Sequence, residues 1–186
     1  MFKKSLIGLI ILSVAFFIYT MYFRDNDFEY KENTEIKSLD VKYTNGIYTL
    51  RAKEQIDNTG DESITFKTVI VEYLKAKSYI KGDKAVKDKE DNVTLSGNVF
   101  GENKENGWTV KGQEIVYYKE LDRFNSSKPV EAYNTKKKLK IGGNYFESDV
   151  SFDELLLEGK VVADTDNFNL LGEKAYYKND ILELIG

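Results

Sequence analysis

Apolar and polar residues alternate along most of this chain, and the alternation itself repeats. The phrase Tyr48-Thr49-Leu50-Arg51-Ala52 returns as Ser78-Tyr79-Ile80-Lys81-Gly82 and Trp108-Thr109-Val110-Lys111-Gly112. It comes back again as Leu139-Lys140-Ile141-Gly142-Gly143 and Phe168-Asn169-Leu170-Leu171-Gly172. Aligned on the last residue, the steps are 30, 30, 31 and 29 residues. Such a period marks a repeated supersecondary unit. In a strand, the alternation puts Tyr48, Leu50 and Ala52 on one face and Thr49 and Arg51 on the other.

A second phrase follows about fifteen residues after the first, as Val93-Thr94-Leu95-Ser96-Gly97-Asn98-Val99 and Leu155-Leu156-Leu157-Glu158-Gly159-Lys160-Val161. Leu182-Glu183-Leu184-Ile185-Gly186 is its last copy. Ile115-x-Tyr117 and Ala175-x-Tyr177 stand between the phrases. Asn45-Gly46 and Asn106-Gly107 are turn signals, and Ile64 to Leu74 is a dense run of β-branched and aromatic residues. Each unit reads as two to four short strands, with residues 121–130 a degraded copy. No long amphipathic helix follows residue 24. The expected architecture is an elongated all-β domain, either a jelly roll or a β-solenoid-like stack. Its interior columns are Tyr48, Ser78, Trp108, Leu139, Phe168 and Leu50, Ile80, Val110, Ile141, Leu170. The glycine column marks bends or close backbone approach.

Composition narrows the chemistry. The 186 residues contain neither cysteine nor histidine, and the net charge is −4. That excludes disulfides, thiol catalysis and a lipid-modified N-terminal cysteine, together with histidine-based triads and typical zinc sites. Nucleic-acid binders are normally basic, so no nucleic-acid partner is expected. No cofactor and no metal site is expected either.

The N-terminus adds a membrane expectation. Lys3 and Lys4 precede an uncharged run of 18 residues, Leu6 to Phe23. That length approaches the roughly 30 Å of a hydrocarbon core at about 1.5 Å per helical residue. Tyr19, Tyr22 and Phe23 sit where interfacial aromatics collect, and the lysines place the N-terminus on the cytoplasmic side. A cleaved signal peptide is the rival reading, but no small-x-small site stands near the end of the run. The expected organisation is a cytoplasmic stub at 1–5, an anchor at 6–23, a linker at 24–35 and an exported β-domain at 36–186.

An anchor followed by repeats of G-x-x-A-x-Y and L-x-L-x-G-x-V resembles a known family. The carrying residues are Tyr48-x-Leu50-x-Ala52, Val93-x-Leu95-x-Gly97-x-Val99, Trp108-x-Val110-x-Gly112-x-x-Ile115-x-Tyr117, Leu155-x-Leu157-x-Gly159-x-Val161 and Gly172-x-x-Ala175-x-Tyr177. They resemble LptC, the inner-membrane-anchored member of the OstA-like lipopolysaccharide-export proteins. The likeness covers roughly residues 36–186 plus the anchor. The chain departs from the pattern at 121–130 and at Asp57, where an aromatic is expected.

The resemblance implies an open β-jelly roll built from repeats of about thirty residues behind one transmembrane helix. It implies a non-enzymatic, single-pass inner-membrane protein. Its periplasmic domain would take lipopolysaccharide from an inner-membrane ABC transporter and pass it to a soluble periplasmic protein of LptA type. The lipid A acyl chains would line up along Leu50, Phe66, Ile80, Val93, Leu95, Trp108, Val110, Ile115, Tyr117, Ile141, Leu157 and Leu170. Ile181, Leu182 and Leu184 would form the edge for the soluble partner, and Leu39, Val41 and Ile47 the transporter-proximal edge. Exposed edges of an open roll suit strand addition by partners.

Plainer readings stand beside these. The apolar columns also fit an ordinary core, and Trp108 also fits a core anchor. Lys136, Lys137, Lys138 and Lys140 fit a solvated hairpin as well as a rim for lipid A phosphates. Asp149, Asp153, Asp164 and Asp166 match no calcium-loop spacing. The functional alternative is a membrane-anchored β-repeat scaffold of the envelope with a closed core and no lipid. A carboxylate or Ser–Lys hydrolase is a third class, without a recognisable nucleophile motif. The first two separate on one property: a groove admits lipid, and a scaffold core is closed and dry.

Overall fold

Alternating β-branched and aromatic residues extend the chain, and Asn, Asp, Lys and Gly turns reverse it. The computed structural model describes residues 35–58 and 63–186. The expected stub, anchor and most of the linker lie outside the described residues. Among the described residues no helix is long and apolar enough to cross a membrane.

Among the described residues thirteen strands follow one another: β1 (Glu35–Thr44), β2 (Tyr48–Asn58), β3 (Ser63–Tyr73), β4 (Ser78–Lys87), β5 (Val93–Asn103), β6 (Trp108–Tyr118) and β7 (Arg123–Ser126). Then come β8 (Val130–Asn134), β9 (Leu139–Gly143), β10 (Tyr145–Asp149), β11 (Leu155–Asp164), β12 (Asn169–Lys178) and β13 (Ile181–Ile185). They form a single sheet in which each pass of the chain pairs with the one before and the one after. Every pairing is antiparallel. The solenoid-like alternative is thereby corrected, because a solenoid stacks parallel rungs. β1 starts one residue before the expected boundary at 36.

The repeat has a structural meaning: midway along each long strand the chain bends. In β6 the buried residues are Trp108 and Val110, then Ile115 and Tyr117, so the inward set changes parity. In β5 they run Val93, Leu95 and then Val99. The registers slip at the same level, between Lys81 and Lys84, Ser96 and Val99, and Glu158 and Val161. Backbone there enters the left-handed region, at Gly97 (φ 73°) and Gly159 (φ 72°) among others. Such bulges turn a strand. The degraded copy is a strand broken outright on this line. β7 and β8 pair with the two halves of β6 on either side of Ser127–Pro129. Proline has no N–H for the ladder, which accounts for the break. β9 and β10 are parted likewise at Asn144.

The line of bends folds the sheet onto itself as two layers. The first layer holds the recurring phrases, from Tyr48 to Gly172, and the second holds their continuations beyond the bend. Aromatic contacts join them: Tyr73 meets Tyr117 and Phe124, each at 5.3 Å between ring centroids. The layers are offset, because Trp108 of β6 packs on Tyr177 of β12.

Candidate functional site

Two regions concentrate the features singled out by sequence: the inner face, and the mouth where the layer ends meet opposite the bend. On the inner face the first layer contributes Leu50, Ile80, Trp108, Val110 and Ile141. The second contributes Phe66, Val93, Leu95, Ile115, Tyr117 and Leu157. All eleven are buried in one hydrophobic cluster. In the described conformation the layers are closed on each other, and these side chains fill the space between them.

Leu170 stands apart from these eleven, and Phe168 with it: they are 43% and 47% exposed. Leu170 does face inward, since it stands opposite the buried Ala163. The layer offset explains its exposure. The first-layer part of β12 would need second-layer strands beyond β13, and the described sheet ends there. The same happens at the other end. Ile36 opposes Asp57, which opposes inward Ile64, yet Ile36 is exposed. The inner apolar face therefore runs past its own cover at both ends.

The proposed partner edges coincide with the ends of the sheet. Leu39 and Val41 belong to β1, and Ile47 lies in the turn that follows it. Leu39 faces outward with Glu54, whereas Val41 opposes inward Ala52. At the other end Ile181 faces outward, while Leu182 and Leu184 pair with Tyr177 and Ala175 and pack on the core. Asp57, where the aromatic is missing, sits half-buried between Ile36 and Ile64.

The mouth is polar and laced across. Asn103 Nδ2 donates to the carbonyls of Ala76 (3.0 Å) and Ser151 (2.9 Å). Asn106 Nδ2 reaches Ser151 O at 2.7 Å and Asp153 Oδ1 at 3.0 Å. The Ser78 hydroxyl donates to Val150 O. Further along, Lys137 pairs with Asp180 at 2.6 Å and stands 5.2 Å from the Tyr177 ring. Tyr177 also donates to Asp180 at 2.8 Å. The hydrogen bond from Lys137, then that from Tyr177, holds the Asp180 carboxyl below its ordinary range. The hydrogen bond from Lys178 does the same for Glu154.

Two clefts of about 510 Å³ each open at this mouth. One has Trp108 and Tyr177 at its floor and Lys136, Lys137 and Asp180 at its rim. The other lies against Lys75, Ala76, Asn103 and Val150. Both touch Asn106 and Asp153, whose mutual hydrogen bond stands between them.

The lysine cluster is engaged within the fold: Lys138 pairs with Asp166, Lys140 with Glu131, and Lys136 donates to Glu105 O. Asp149 caps the β10–β11 loop, accepting from the amides of Asp153 and Glu154 at 2.9 Å each. No cluster of potential metal ligands gathers among the described residues.

Sequence reasoning passed over Phe152. It lies in the β10–β11 loop, flanked by serine and aspartates, where a turn is all that local composition suggests. Its side chain is fully buried and stacks on Phe124, with centroids 5.6 Å apart. A lone aromatic inside a polar turn was the available signal. No family model and no curated protein matches this chain.

Proposed function

We propose that the chain is a non-enzymatic carrier of lipopolysaccharide, anchored in a bacterial inner membrane by residues 6–23 with its β-domain in the periplasm. The β-domain acts as an open jelly roll in its working state. The layers part along the bend, and lipid A acyl chains replace contacts that the core side chains make with one another. Each methylene kept from water is worth about 0.8 kcal/mol. The lipid comes from an inner-membrane ABC transporter near β1 and leaves to a soluble LptA-type protein near β13.

One observation carries the reading. The inner apolar face continues past its cover at both ends, at Ile36 and at Phe168 and Leu170, beside the two edge strands. A neighbour of similar fold, added strand to strand, extends both the sheet and the apolar path.

A second reading is favoured by the closure of the middle. Leu95, Val110 and Ile141 have no measurable exposure. A closed, dry core of this kind suits an anchored scaffold that docks envelope proteins by its edges and holds no lipid.

Photocrosslinking in the native envelope separates the two. A photoreactive side chain at Leu95, Val110 or Ile141 forms ATP-dependent lipopolysaccharide adducts if the layers open to lipid. Lys111, on the outer face opposite Glu131, stays unlabelled. Absence of adducts at all three inner sites in a folded, expressed protein establishes the scaffold instead.

A further inference from the structure

The β10–β11 loop differs from the other described connections. It sends a large side chain, Phe152, into the core, whereas the other large buried side chains lie on strands. Phe152 does so with φ at +57°, a conformation rare for an aromatic residue. Backbone of this kind persists where the surroundings hold it, and it collects at binding clamps and switches.

The ring has a made-to-measure seat. Gly101, on the inner face of β5, lies beneath it. A Cβ at Gly101 would stand 2.8 Å from Phe152 Cζ and 3.2 Å from Cε2. At the same level of the first layer, Gly101 pairs with Ile80 and Val110, and Val71, Ala132, Ile141 and Ala163 follow farther along the sheet, all of them buried and all carrying a side chain. Gly101 is thus the place where the wall is thinned, and Phe152 fills the gap. Phe124 closes the other side as a stacked ring.

The loop is built to move as a unit. Its internal bonds converge on Asp149, which accepts from Asp153 N, Glu154 N and the Ser151 amide. While Glu154 at the end of the loop stays paired with Arg123 and Lys178, the loop's ties to the opposite layer are four hydrogen bonds from Ser78, Asn103 and Asn106 to loop oxygens, three to carbonyls and one, at the exposed Asp153 carboxylate, charge-assisted. Water can replace each of those at the mouth, and none of the Asp149 bonds breaks when they go. The loop also stands between the two clefts, so swinging it outward joins them into one slot above the Gly101 gap.

We propose that this loop is a stopper, and that the seat of Phe152 between Gly101 and Phe124 is a binding site for a single straight hydrocarbon chain. In the closed form the phenyl ring stands in for the chain. When the loop swings out, an acyl chain enters from the mouth and takes the place of the ring. The inference rests on the lipid-carrier reading and names the point of entry for it.

The absence of native cysteine allows a direct test in the full-length chain, reconstituted in nanodiscs. The side chains of Asn106 and Asp153 touch, so the double variant Asn106→Cys/Asp153→Cys clamps the loop shut on oxidation. The probe is dodecanoic acid carrying a terminal diazirine, with labelled peptides located by mass spectrometry. Labelling around Gly101 and Phe124 is expected to fall at least tenfold in the oxidised clamp and to recover with reductant. It rises several-fold in Phe152→Ala. Wild-type labelling in a clamp whose disulfide is verified overturns the stopper and leaves the lipid reading standing. Absence of labelling in every form, including the reduced clamp, overturns both. Phe152→Leu replaces Phe152→Ala if the smaller residue lowers the thermal midpoint too far; the clamp result decides in either case.

Discussion

Trp108 and Tyr177 meet edge to face, 4.9 Å between ring centroids and 73° between planes, and belong to opposite layers of one sheet. They are 69 positions apart in the chain, yet their contact fixes how far the second layer is displaced along the first. The same displacement covers Val110 and leaves Leu170 bare.

Trp108→Ala is therefore expected to cost about 3–5 kcal/mol, the range for deleting a fully buried large aromatic. Trp108→Phe retains an edge-to-face partner for Tyr177 and loses less. Urea unfolding of the full chain measures both. Equal losses would mean that the ring contact contributes little beyond volume.

Gly101→Ala forces a methyl group against the Phe152 ring. Overpacking of that kind costs about 1–3 kcal/mol. Phe152→Leu made together with Gly101→Ala recovers part of the loss, because the smaller side chain frees the space. A double-mutant cycle is expected to show coupling of at least about 0.5 kcal/mol. Strict additivity would separate the two residues.

The bend depends on Gly97. Its φ is +73°, and an added Cβ would lie 2.8 Å from Asp83 Oδ2. Gly97→Ala combines left-handed strain of about 1–2 kcal/mol with that contact. Hydrogen exchange of β4 and β5 amides next to the bend is expected to accelerate, while β12 and β13 change little. Uniform acceleration across the sheet would show that the bend does not act locally.

Acid weakens the fold through three carboxylates. Asp91, bonded first by Lys119 and then by Lys87, lies below its ordinary range, as do Glu154 and Asp180. A folded pKa below the unfolded one contributes stability above the ordinary carboxylate range. That contribution is lost as pH falls through the folded value. The thermal midpoint is expected to hold from neutrality to about pH 5 and to fall below about pH 4. The groups lie near the surface, so high salt flattens the effect.

Alkali acts on the tyrosines with the opposite sign. Burial first, then the neighbouring Tyr43, pushes Tyr48 up to about 12, and burial raises Tyr73 well above its usual value. A raised folded pKa contributes stability that is complete below about pH 10 and is lost as pH rises from there through the folded value. Tyrosinate absorbance is expected to rise in two steps. The later step belongs to the buried Tyr48–Tyr73 pair, which ionises only together with unfolding. One smooth step without unfolding would place these rings in water.

Much of this architecture is written in the alternation. Leu50, Ile80, Val110 and Ile141 face inward as their period requires, and the glycine column lies on the bend. Leu39 and Val41 lie on β1 and Ile181, Leu182 and Leu184 on β13, whereas Ile47 lies in the turn after β1. Periodicity carries no information about volume, however. The columns that mark an inner face cannot say whether the space it encloses is filled, and here side chains fill it. Nor does a column report its own cover: Leu170 has the right parity and lies beyond the overlap of the layers. Phe152 escaped because turn composition hides a side chain that folds back. Pro129 gave a sign of the broken strand, which the degraded repeat obscured.

Because spatial order follows chain order pass by pass, each pass of the chain, whole or broken into two strands, finds its partner in the pass just completed. Assembly can proceed in the order in which the polypeptide is threaded out, with no strand waiting for a distant mate. The same plan makes size adjustable. Gain or loss of one thirty-residue unit lengthens or shortens the ladder by a pair of strands and leaves the remaining connections as they are.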